Sequence, residues 1–224
     1  MILRPDQVLA RNDETRRFNE ARPSPLDLRG RTGSGVNFCS HCGSGDLKWV
    51  IPPGDNRPRH VCPACDSIFY QNPKIVAGCI PEWGDRILLC KRAIEPRHGY
   101  WTLPAGFMEN AETTLEAAAR ETLEEANARV EIKELYTVFN IPHTNQVYMM
   151  FRGQLNDLDF SPGEESLEVA LYQEEEIPWD DLAFPTILHT LKFYFEDRRN
   201  GQFRVRSGDI TREDDRAVFS LRRR

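Results

Sequence analysis

Long apolar runs are missing from this sequence. No uninterrupted apolar stretch approaches the roughly 18 residues that a membrane-spanning helix requires. The first residues also lack the apolar core of a secretory signal peptide, because Arg4 and Asp6 place charges there. We therefore expect a cytoplasmic protein with no membrane partner.

An excess of basic charge is missing as well. The 224 residues carry 29 Lys and Arg against 35 Asp and Glu, a net charge of −6. Proteins that coat nucleic acid usually have a basic surface, so this balance argues against broad nucleic-acid binding. Residues 106–134 alone carry eight acids and three bases, a net −5. This acidic segment fits either a cation site or a solvated helix face.

Residues 36–70 lack the aliphatic side chains that a hydrophobic core of their own would need. The segment instead contains two Cys-x-x-Cys pairs, Cys39 with Cys42 and Cys62 with Cys65. In an intracellular chain such pairs favour metal over disulfides, and four thiolates form the closed set that structural Zn²⁺ prefers. We predict a zinc ribbon. His41 and His60 are alternative nitrogen donors, and a ribbon without metal or a redox dithiol are the alternative interpretations.

The rest of the chain divides by composition. Residues 1–35 are rich in Arg and poor in large apolar residues, so we expect a poorly ordered extension. Residues 71–200 show a mixed α/β pattern, and residues 201–224 form a charged tail that we expect to be weakly structured. We expect Cys79 and Cys90 to be small core residues. The predicted strands are 75–80, 86–91, 99–103, 130–139, 146–155 and 169–172, and the predicted helices are 113–126 and 185–198.

The first predicted helix has clear ends. Thr113 and Glu116 have the spacing of a capping box, and Asn127 suits the left-handed backbone that often ends a helix. Helical periodicity predicts one buried stripe, made of Leu115, Ala118, Ala119, Thr122, Leu123 and Ala126. The acidic residues of the helix would then lie beside this stripe.

Three glutamates of this helix share one face. Glu121, Glu124 and Glu125 are at positions i, i+3 and i+4, within an arc of about 100°. Each like-charge pair costs roughly 0.2–0.5 kcal/mol, and we expect Arg120, the one cation of the helix interior, on a different side. Clustered carboxylates suit Mg²⁺ or Mn²⁺. A solvated helix face would show the same spacing.

The glutamates belong to a longer pattern. Its charged and glycine positions are Gly106, Glu112, Arg120, Glu121, Glu124 and Glu125. This spacing resembles the Nudix box of the Nudix hydrolases, which usually has an aliphatic residue at the position of Thr122 and glycine at that of Asn127. The resemblance implies an α/β fold: an α/β/α sandwich with a mixed sheet, preceded here by the small zinc ribbon.

The resemblance extends beyond the box. A zinc ribbon followed by Gln71-Asn-Pro-Lys and a Leu-Pro-Ala-Gly segment is similar to the subgroup that includes plant chloroplast FAD pyrophosphatases. The layout is also similar to bacterial NADH pyrophosphatases. Those enzymes carry a Ser-Gln-Pro-Trp-Pro-Phe-Pro signature, whereas this chain has Ile141-Pro-His-Thr-Asn-Gln in that region. This difference argues against NADH as the main substrate.

The resemblance also implies roles for individual residues. The implied Mg²⁺ ligands are Glu121, Glu124, Glu125 and the carbonyl of Gly106. Arg120 and Glu112 would orient these carboxylates, and Arg120 would act in catalysis together with Glu124 and Glu125.

Some Nudix enzymes use a further glutamate, on a later loop, as base or ligand. The candidates here are Glu164, Glu165 and Glu168. We favour Glu168 because it directly precedes the predicted strand 169–172 and could point back at the helix, although a solvated loop acid fits equally. The candidates for stacking on a substrate ring are Phe107, Phe139 and Tyr148, and each of them also suits a core.

These expectations combine into a leading function. The resemblance implies Mg²⁺-dependent hydrolysis of a diphosphate that links a nucleoside to another moiety, as in FAD, ADP-ribose or NADH, with release of AMP. A homodimer is implied by the same resemblance. An alternative is hydrolysis of an NAD-type RNA 5′ end held by the ribbon, where Arg57, Arg59 and His60 lie near the second cysteine pair. A third interpretation is a regulatory protein that binds the nucleotide without cleaving it.

Overall fold

The computed structural model describes residues 36–213 and 216–221, so the predicted extension over residues 1–35 lies outside the described residues. The described chain divides into two compact units between Asn72 and Pro73. Within the described ranges, no helix is long and apolar enough to cross a membrane.

The smaller unit is a three-stranded antiparallel sheet with the order β1-β2-β3. Its strands are β1 (Lys48–Val50), β2 (Arg59–Val61) and β3 (Ile68–Phe69). Trp49 lies opposite His60 across the β1–β2 pair, and the two rings are 4.7 Å apart. The sheet is short and its first strand is exposed. Hydrophobic burial alone is therefore a weak source of stability for this unit.

The larger unit is built on a nine-stranded mixed sheet. Its strands are β4 (Lys74–Trp83), β5 (Arg86–Arg92), β6 (Trp101–Thr102), β7 (Ala105–Phe107), β8 (Val130–Ile141), β9 (Gln146–Leu155), β10 (Ser166–Tyr172), β11 (Arg206–Glu213) and β12 (Arg216–Leu221). The main path runs β10-β5-β4-β9-β8-β11-β12, with β6 paired to β5 and β7 paired to β4. The pairs β4–β9 and β8–β11 are parallel, and the other pairs are antiparallel.

Two helices cover the two faces of this sheet, α1 (Thr114–Ala126) and α2 (Pro185–Asn200). Successive strand residues point to opposite faces. On β5, Leu88 and Cys90 therefore pack with Ala126 of α1, whereas Leu89 packs with the core around α2. On β4, Cys79 packs against α1. The predicted mixed sheet between two helices is confirmed, and both Cys79 and Cys90 are buried core residues.

Helix α2 closely matches its sequence prediction. Leu188, Leu191 and Phe195 share one buried face, as the 3.6-residue period requires. Gly201 adopts φ 65° directly after the helix. A left-handed residue at this position is easiest for glycine, because glycine has no Cβ to clash. The helix therefore ends at the position that the sequence indicates.

The predicted weakly structured tail is wrong for residues 206–213 and 216–221. These residues form the β11–β12 hairpin, and β11 adds to the main sheet as a parallel neighbour of β8. Few apolar side chains anchor it: Ile210 is buried, and Phe219 stacks on His189 at 3.9 Å and packs edge-on against Phe139. The prediction failed because the tail is mostly charged, so composition does not indicate that Ile210 and Phe219 pack against the rest of the unit.

A buried ion pair ties this hairpin to α2. Asp197 accepts hydrogen bonds from the Tyr136 hydroxyl at 2.9 Å and from Arg206 Nη2 at 2.5 Å, and Arg206 Nη1 is a further partner. Burial alone would raise the pKa of Asp197, but the hydrogen bonds from Arg206 and Tyr136 outweigh it and lower that pKa. The ionised form of Asp197 therefore stabilises the folded state.

This pair makes a pH-dependent prediction. An Asp197→Asn variant should lose about 2 kcal/mol of unfolding free energy at pH 7, somewhat below the cost of breaking a fully buried pair because Arg206 is partly exposed. The lowered pKa means that the contribution is complete above the ordinary pKa of 3.8 and is lost as the pH falls through the folded value. Denaturant titrations should show the difference from wild type shrinking as the pH falls below about 4. An undiminished difference at pH 3 would contradict this role.

Candidate active site

Helix α1 begins and ends as its sequence predicts. Thr113 is the N-cap, and the capping box is complete: the Glu116 backbone N–H donates to Thr113 Oγ1 at 3.2 Å, and the Thr113 N–H donates to the Glu116 carboxylate at 2.7 Å. Asn127 adopts φ 48° after the last turn. The helix is thus fixed at both ends, which fixes the direction of the side chains between them.

The predicted buried stripe of α1 is partly wrong. Leu115 and Leu123 are 44% and 49% exposed, whereas Glu121 and Glu125 are only 9% and 8% exposed. The small residues decide the rotation of the helix. Ala117 and Ala118 pack directly on Ala77, Cys79 and Phe151 of the sheet, and this close approach turns the two leucines outward and the two glutamates inward.

The sequence predicts Arg120 on a different side of α1 from the three glutamates, and this prediction is wrong. Its guanidinium binds Glu112 through two nitrogens, at 3.0 and 2.8 Å, and its Nη1 donates to Glu121 at 2.7 Å and to Glu124 at 3.0 Å. Nη2 also donates to the Phe107 carbonyl at 3.1 Å. These hydrogen bonds to Arg120 lower the pKa of Glu112 to about 2. Arg120 therefore holds three carboxylates in one arrangement.

Glu121 and Glu125 lie deeper than Glu124. Burial raises the pKa of Glu121, and burial together with the charge of Glu121 raises the pKa of Glu125 to about 8. The backbone of Ala105 offsets part of this rise in the pKa of Glu125. Gly106 lies directly against the Glu121 carboxyl group, and a Cβ at position 106 would overlap it. The predicted ligand set is thus brought together around the β7 strand.

Gly106 allows a test of this close approach. A Gly106→Ala variant should push the Glu121 carboxylate out of place while leaving the fold intact, because the clash is with the end of a flexible side chain. We expect Mg²⁺-dependent turnover to fall about 10- to 100-fold, as for other changes that misplace a metal ligand. Thermal unfolding should barely change.

A matched control for this variant is Gly45→Ala, because a Cβ at Gly45 would meet only the Phe38 ring at an ordinary 3.6 Å. This control should retain full turnover and full stability. Wild-type turnover in Gly106→Ala would show that the position tolerates a side chain and that Glu121 needs no such approach.

The acidic cluster opens into a cavity of about 910 Å³, within the roughly 300–1,000 Å³ typical of ligand pockets. Phe107 and Tyr148, two of the predicted stacking residues, line it. Phe139, the third, does not: it is fully buried and packs edge-on against Phe219 at 5.4 Å. Its prediction as a ring-stacking residue is therefore wrong, because its side chain points into the core beneath the hairpin.

Sequence reasoning missed several other residues that line this cavity, because no local pattern marks them. They come from the end of β5, the start of α2, the short turn after β8, and the C-terminal hairpin: Arg92, Phe184, Thr186, His143, Arg212 and Ala217. Each is an ordinary residue in its own segment, and only the folded chain brings these segments to one place.

The loop after β9 docks on the C-terminal end of α1. The backbone N–H groups of Ser161 and Gly163 donate to the carbonyls of Ala126 and Glu125, at 3.0 and 2.9 Å. The Asn127 side-chain amide donates to Ser161 and to the Pro162 carbonyl, at 3.1 to 3.2 Å. These bonds satisfy carbonyls that the last turn of a helix leaves unpaired. Asn127 therefore ends the helix with its backbone and also binds the loop with its side chain.

The docked loop determines which of the three candidates for the further glutamate, Glu164, Glu165 and Glu168, line the cavity. Glu164 and Glu165 line the cavity, and Glu165 is close enough to Glu121 and Glu125 for its charge to raise the pKa of both. Glu168, the candidate that the sequence favours, lies on β10, is not among the residues that line the cavity, and pairs with Lys91 at 3.5 Å. The β10 strand begins at Ser166, so strand alternation rather than loop geometry directs Glu168.

The four cysteines of the smaller unit converge on one point. Their sulfur atoms lie within 4.8 Å of one another, with 3.6 Å between Cys39 and Cys65 and 3.5 Å between Cys42 and Cys62. Hydrogen bonds from Ser67 lower the pKa of Cys65 to about 6. Neither histidine belongs to this set within the described residues, and His41 instead contacts the Ser67 hydroxyl at 3.1 Å. The cluster is positioned to bind a metal.

Comparison with known proteins finds a matching family for each of the two units. The zinc-ribbon family described as Nudix N-terminal matches residues 37–71, and the NUDIX domain family matches residues 72–206. A NUDIX hydrolase of known crystal structure from Nitrosomonas europaea is 59% identical, with a TM-score of 0.77, over 79% of this chain and 100% of that one.

Two curated relatives are more distant. An ADP-ribose pyrophosphatase of Methanocaldococcus jannaschii is 38% identical over 33% of this chain and 44% of its own length. An NAD-capped RNA hydrolase NudC of Edwardsiella ictaluri is 30% identical over 63% of this chain and 53% of its own. The chain thus spans about half the length of these curated relatives. Since the NUDIX domain match covers more than half of the residues and includes the acidic helix, this chain belongs to the Nudix family.

Proposed function

We propose that this protein hydrolyses the diphosphate of a nucleoside diphosphate linked to another moiety, such as FAD, ADP-ribose or NADH. One water would be added across the P–O–P bridge, giving AMP and a phosphorylated partner. The observation that carries the proposal is the placement of Glu121, Glu124 and Glu125 on the rim of one large cavity. The names of two relatives, an ADP-ribose pyrophosphatase and an NAD-capped RNA hydrolase, support cleavage of the same kind of bond.

The residues of the rim fit a hard divalent cation. Two buried carboxylates and one exposed carboxylate supply oxygen donors, which Mg²⁺ and Mn²⁺ prefer. Because Gly106 has no side chain, the Glu121 carboxylate lies directly against its backbone. We assign the cation to Glu121, Glu124, Glu125 and the Gly106 carbonyl. When bound, the cation would supply positive charge to the diphosphate and make a water nucleophilic near neutral pH.

The chain's own groups prepare this arrangement. Glu112 fixes the Arg120 guanidinium through a bidentate pair, and Arg120 in turn holds Glu121 and Glu124 in reach of the cavity. We propose that a carboxylate oxygen of Glu165 takes the proton from the attacking water, in place of Glu168. The docking of its loop on α1 supports this choice, because that contact holds Glu165 at the rim.

In the smaller unit we propose a structural Zn²⁺ bound by Cys39, Cys42, Cys62 and Cys65. Four sulfur donors within 4.8 Å of one another match the closed tetrahedral set of structural zinc sites. A closed set leaves no position for a substrate. This ion would therefore stabilise the unit rather than take part in hydrolysis.

Hydrolysis of an NAD-type RNA 5′ end is the second candidate, and the NudC name of one relative favours it. The ribbon offers it little support, because Arg59 is already paired with Asp55 at 3.0 Å and lies over the Tyr70 ring. A homodimer and a cytoplasmic location stay predictions from the sequence.

A substrate panel tests the function. Purified protein with Mg²⁺ should release AMP from one or more of FAD, ADP-ribose and NADH, with products separated by chromatography, and the release should stop with EDTA. NAD-capped RNA and nucleoside triphosphates complete the panel. Faster cleavage of capped RNA would favour the second candidate. Tight ADP-ribose binding without any turnover would favour a regulatory protein and overturn the proposal.

A further inference from the structure

The hydroxyl of Thr186 has no hydrogen-bond partner among the residues that the structure describes. Thr186 is 1% exposed, its Oγ1 makes no hydrogen bond within the described residues, and it lines the cavity of the acidic cluster. A buried hydroxyl without a partner is costly, and native structures usually pair such groups. Since residues 36–213 and 216–221 supply no partner, a ligand in the cavity could supply it.

The backbone beside this hydroxyl offers a second donor. Thr186 is in the first turn of α2, after Pro185, and the N-cap residue Phe184 makes no side-chain cap. The N–H groups of Ile187 and Leu188 both donate to the Phe184 carbonyl, at 3.0 and 3.1 Å. Pro185 has no N–H. In the described part of the chain, the Thr186 N–H is the donor of this turn that has no backbone acceptor.

A single free N–H argues against a phosphate at this position. Phosphate sites at helix N-termini present several N–H groups to one anion, and here Pro185 and the bonds to Phe184 remove the others. The lining also includes apolar residues: Phe184 and Ile187, which are close to Thr186 along the chain, and Ile94. A flat ring with one polar edge suits such a place better than a dianion.

Arg92 lines the same cavity and lies beside Phe184. Its guanidinium carbon lies 5.2 Å from the centre of the Phe184 ring, and its Nε donates to the Pro96 carbonyl at 3.0 Å. No carboxylate of the described chain forms an ion pair with it. Guanidinium groups stack readily on aromatic faces. Arg92 and Phe184 therefore form a planar wall beside the Thr186 donors.

We propose that Thr186 and the first turn of α2 bind the hydrogen-bonding edge of the planar ring of the substrate, through the Thr186 N–H and hydroxyl. The backbone N–H would donate to a ring acceptor, and the hydroxyl would pair with the neighbouring donor or acceptor. Adenine and the pyrimidine ring of flavin both present such an edge. This inference rests on the proposed function, since it assigns the ring end of the same substrate.

Binding of the reaction products, measured without metal, tests the proposal. Calorimetry in EDTA would measure AMP and FMN, which carry the two rings, and ribose 5-phosphate, which has a phosphate but no ring. Thr186→Val keeps the side-chain shape and removes the hydroxyl, so it should weaken binding of AMP, FMN or both about tenfold. Thr186→Ser keeps the hydroxyl and should bind almost as wild type. The ring that loses affinity identifies which of the two the subsite holds.

Stability provides a second measurement. Thr186→Val removes an unpartnered buried hydroxyl, so its melting temperature should equal or exceed that of the wild type, whereas a hydroxyl with a structural role would lower it. Unchanged AMP and FMN affinity in Thr186→Val would overturn the proposal, as would an equal loss for ribose 5-phosphate or a wild type that binds neither ring. Turnover of the substrate panel is measured separately with Mg²⁺, so failure of this subsite and failure of the proposed hydrolysis are distinguishable.

Discussion

Replacing Glu124 with glutamine is expected to reduce Mg²⁺-dependent AMP release by roughly 1,000-fold, because a lost cation ligand removes several kcal/mol of transition-state stabilisation. Glu124 is the most exposed of the three clustered glutamates, with 58% of its side chain accessible. Its removal should therefore leave the fold and the melting temperature nearly unchanged. The loss would appear in kcat/KM measured at saturating Mg²⁺.

Glu168→Gln is the matched control for this experiment. Glu168 is also an exposed glutamate, but it lies outside the cavity and pairs with Lys91, so its replacement should leave turnover within about twofold of wild type. Glu165→Gln, by contrast, should lower kcat if Glu165 takes the proton from water. Retained turnover in Glu124→Gln would refute the assignment of the cation to this helix.

Replacing Cys62 with serine is expected to remove zinc from the protein and to unfold residues 36–72. The smaller unit has a short, exposed sheet, so metal binding must supply much of its stability, and structural zinc contributes about 10–16 kcal/mol in comparable units. Elemental analysis should give one zinc per wild-type chain and far less for the variant. Limited proteolysis should cut the variant within residues 36–72.

Cys79→Ser separates this effect from the general loss of a buried thiol. Cys79 lies in the larger unit, where its Sγ is 3.2 Å from Thr122 Oγ1, and a serine hydroxyl can make a similar contact. This variant should keep its zinc. An equal zinc content in Cys62→Ser and wild type would show that the four cysteines do not form the metal site.

Local sequence signals predicted the elements that depend on neighbouring residues. The capping box of Thr113 and Glu116, the left-handed Asn127, the strand over residues 146–155 and the amphipathic face of α2 are each set within a few residues. The cysteine pairs belong with them, because a Cys-x-x-Cys spacing carries its own geometry. These are features for which a short segment contains the physical cause.

The rotation of α1 was predicted incorrectly because packing competes with hydrophobicity. Leu115 and Leu123 are the most apolar residues of the helix, yet the close contact of Ala117 and Ala118 with the sheet excludes them from the core. Periodicity measures how apolar a face is. It does not measure how closely that face can approach a sheet that presents Ala77 and Cys79 to it.

The sequence by itself determined which helix carries the carboxylates, which four cysteines are positioned to bind a metal, and which family pattern the helix follows. The tertiary structure alone decided where that chemistry meets a ligand. It placed Glu165 rather than Glu168 in the cavity lining and added the β11–β12 hairpin to the sheet. It also left the Thr186 hydroxyl at the cavity with no partner among the described residues. The reason is physical: side-chain type and spacing are local, whereas a cavity forms between segments far apart in the chain.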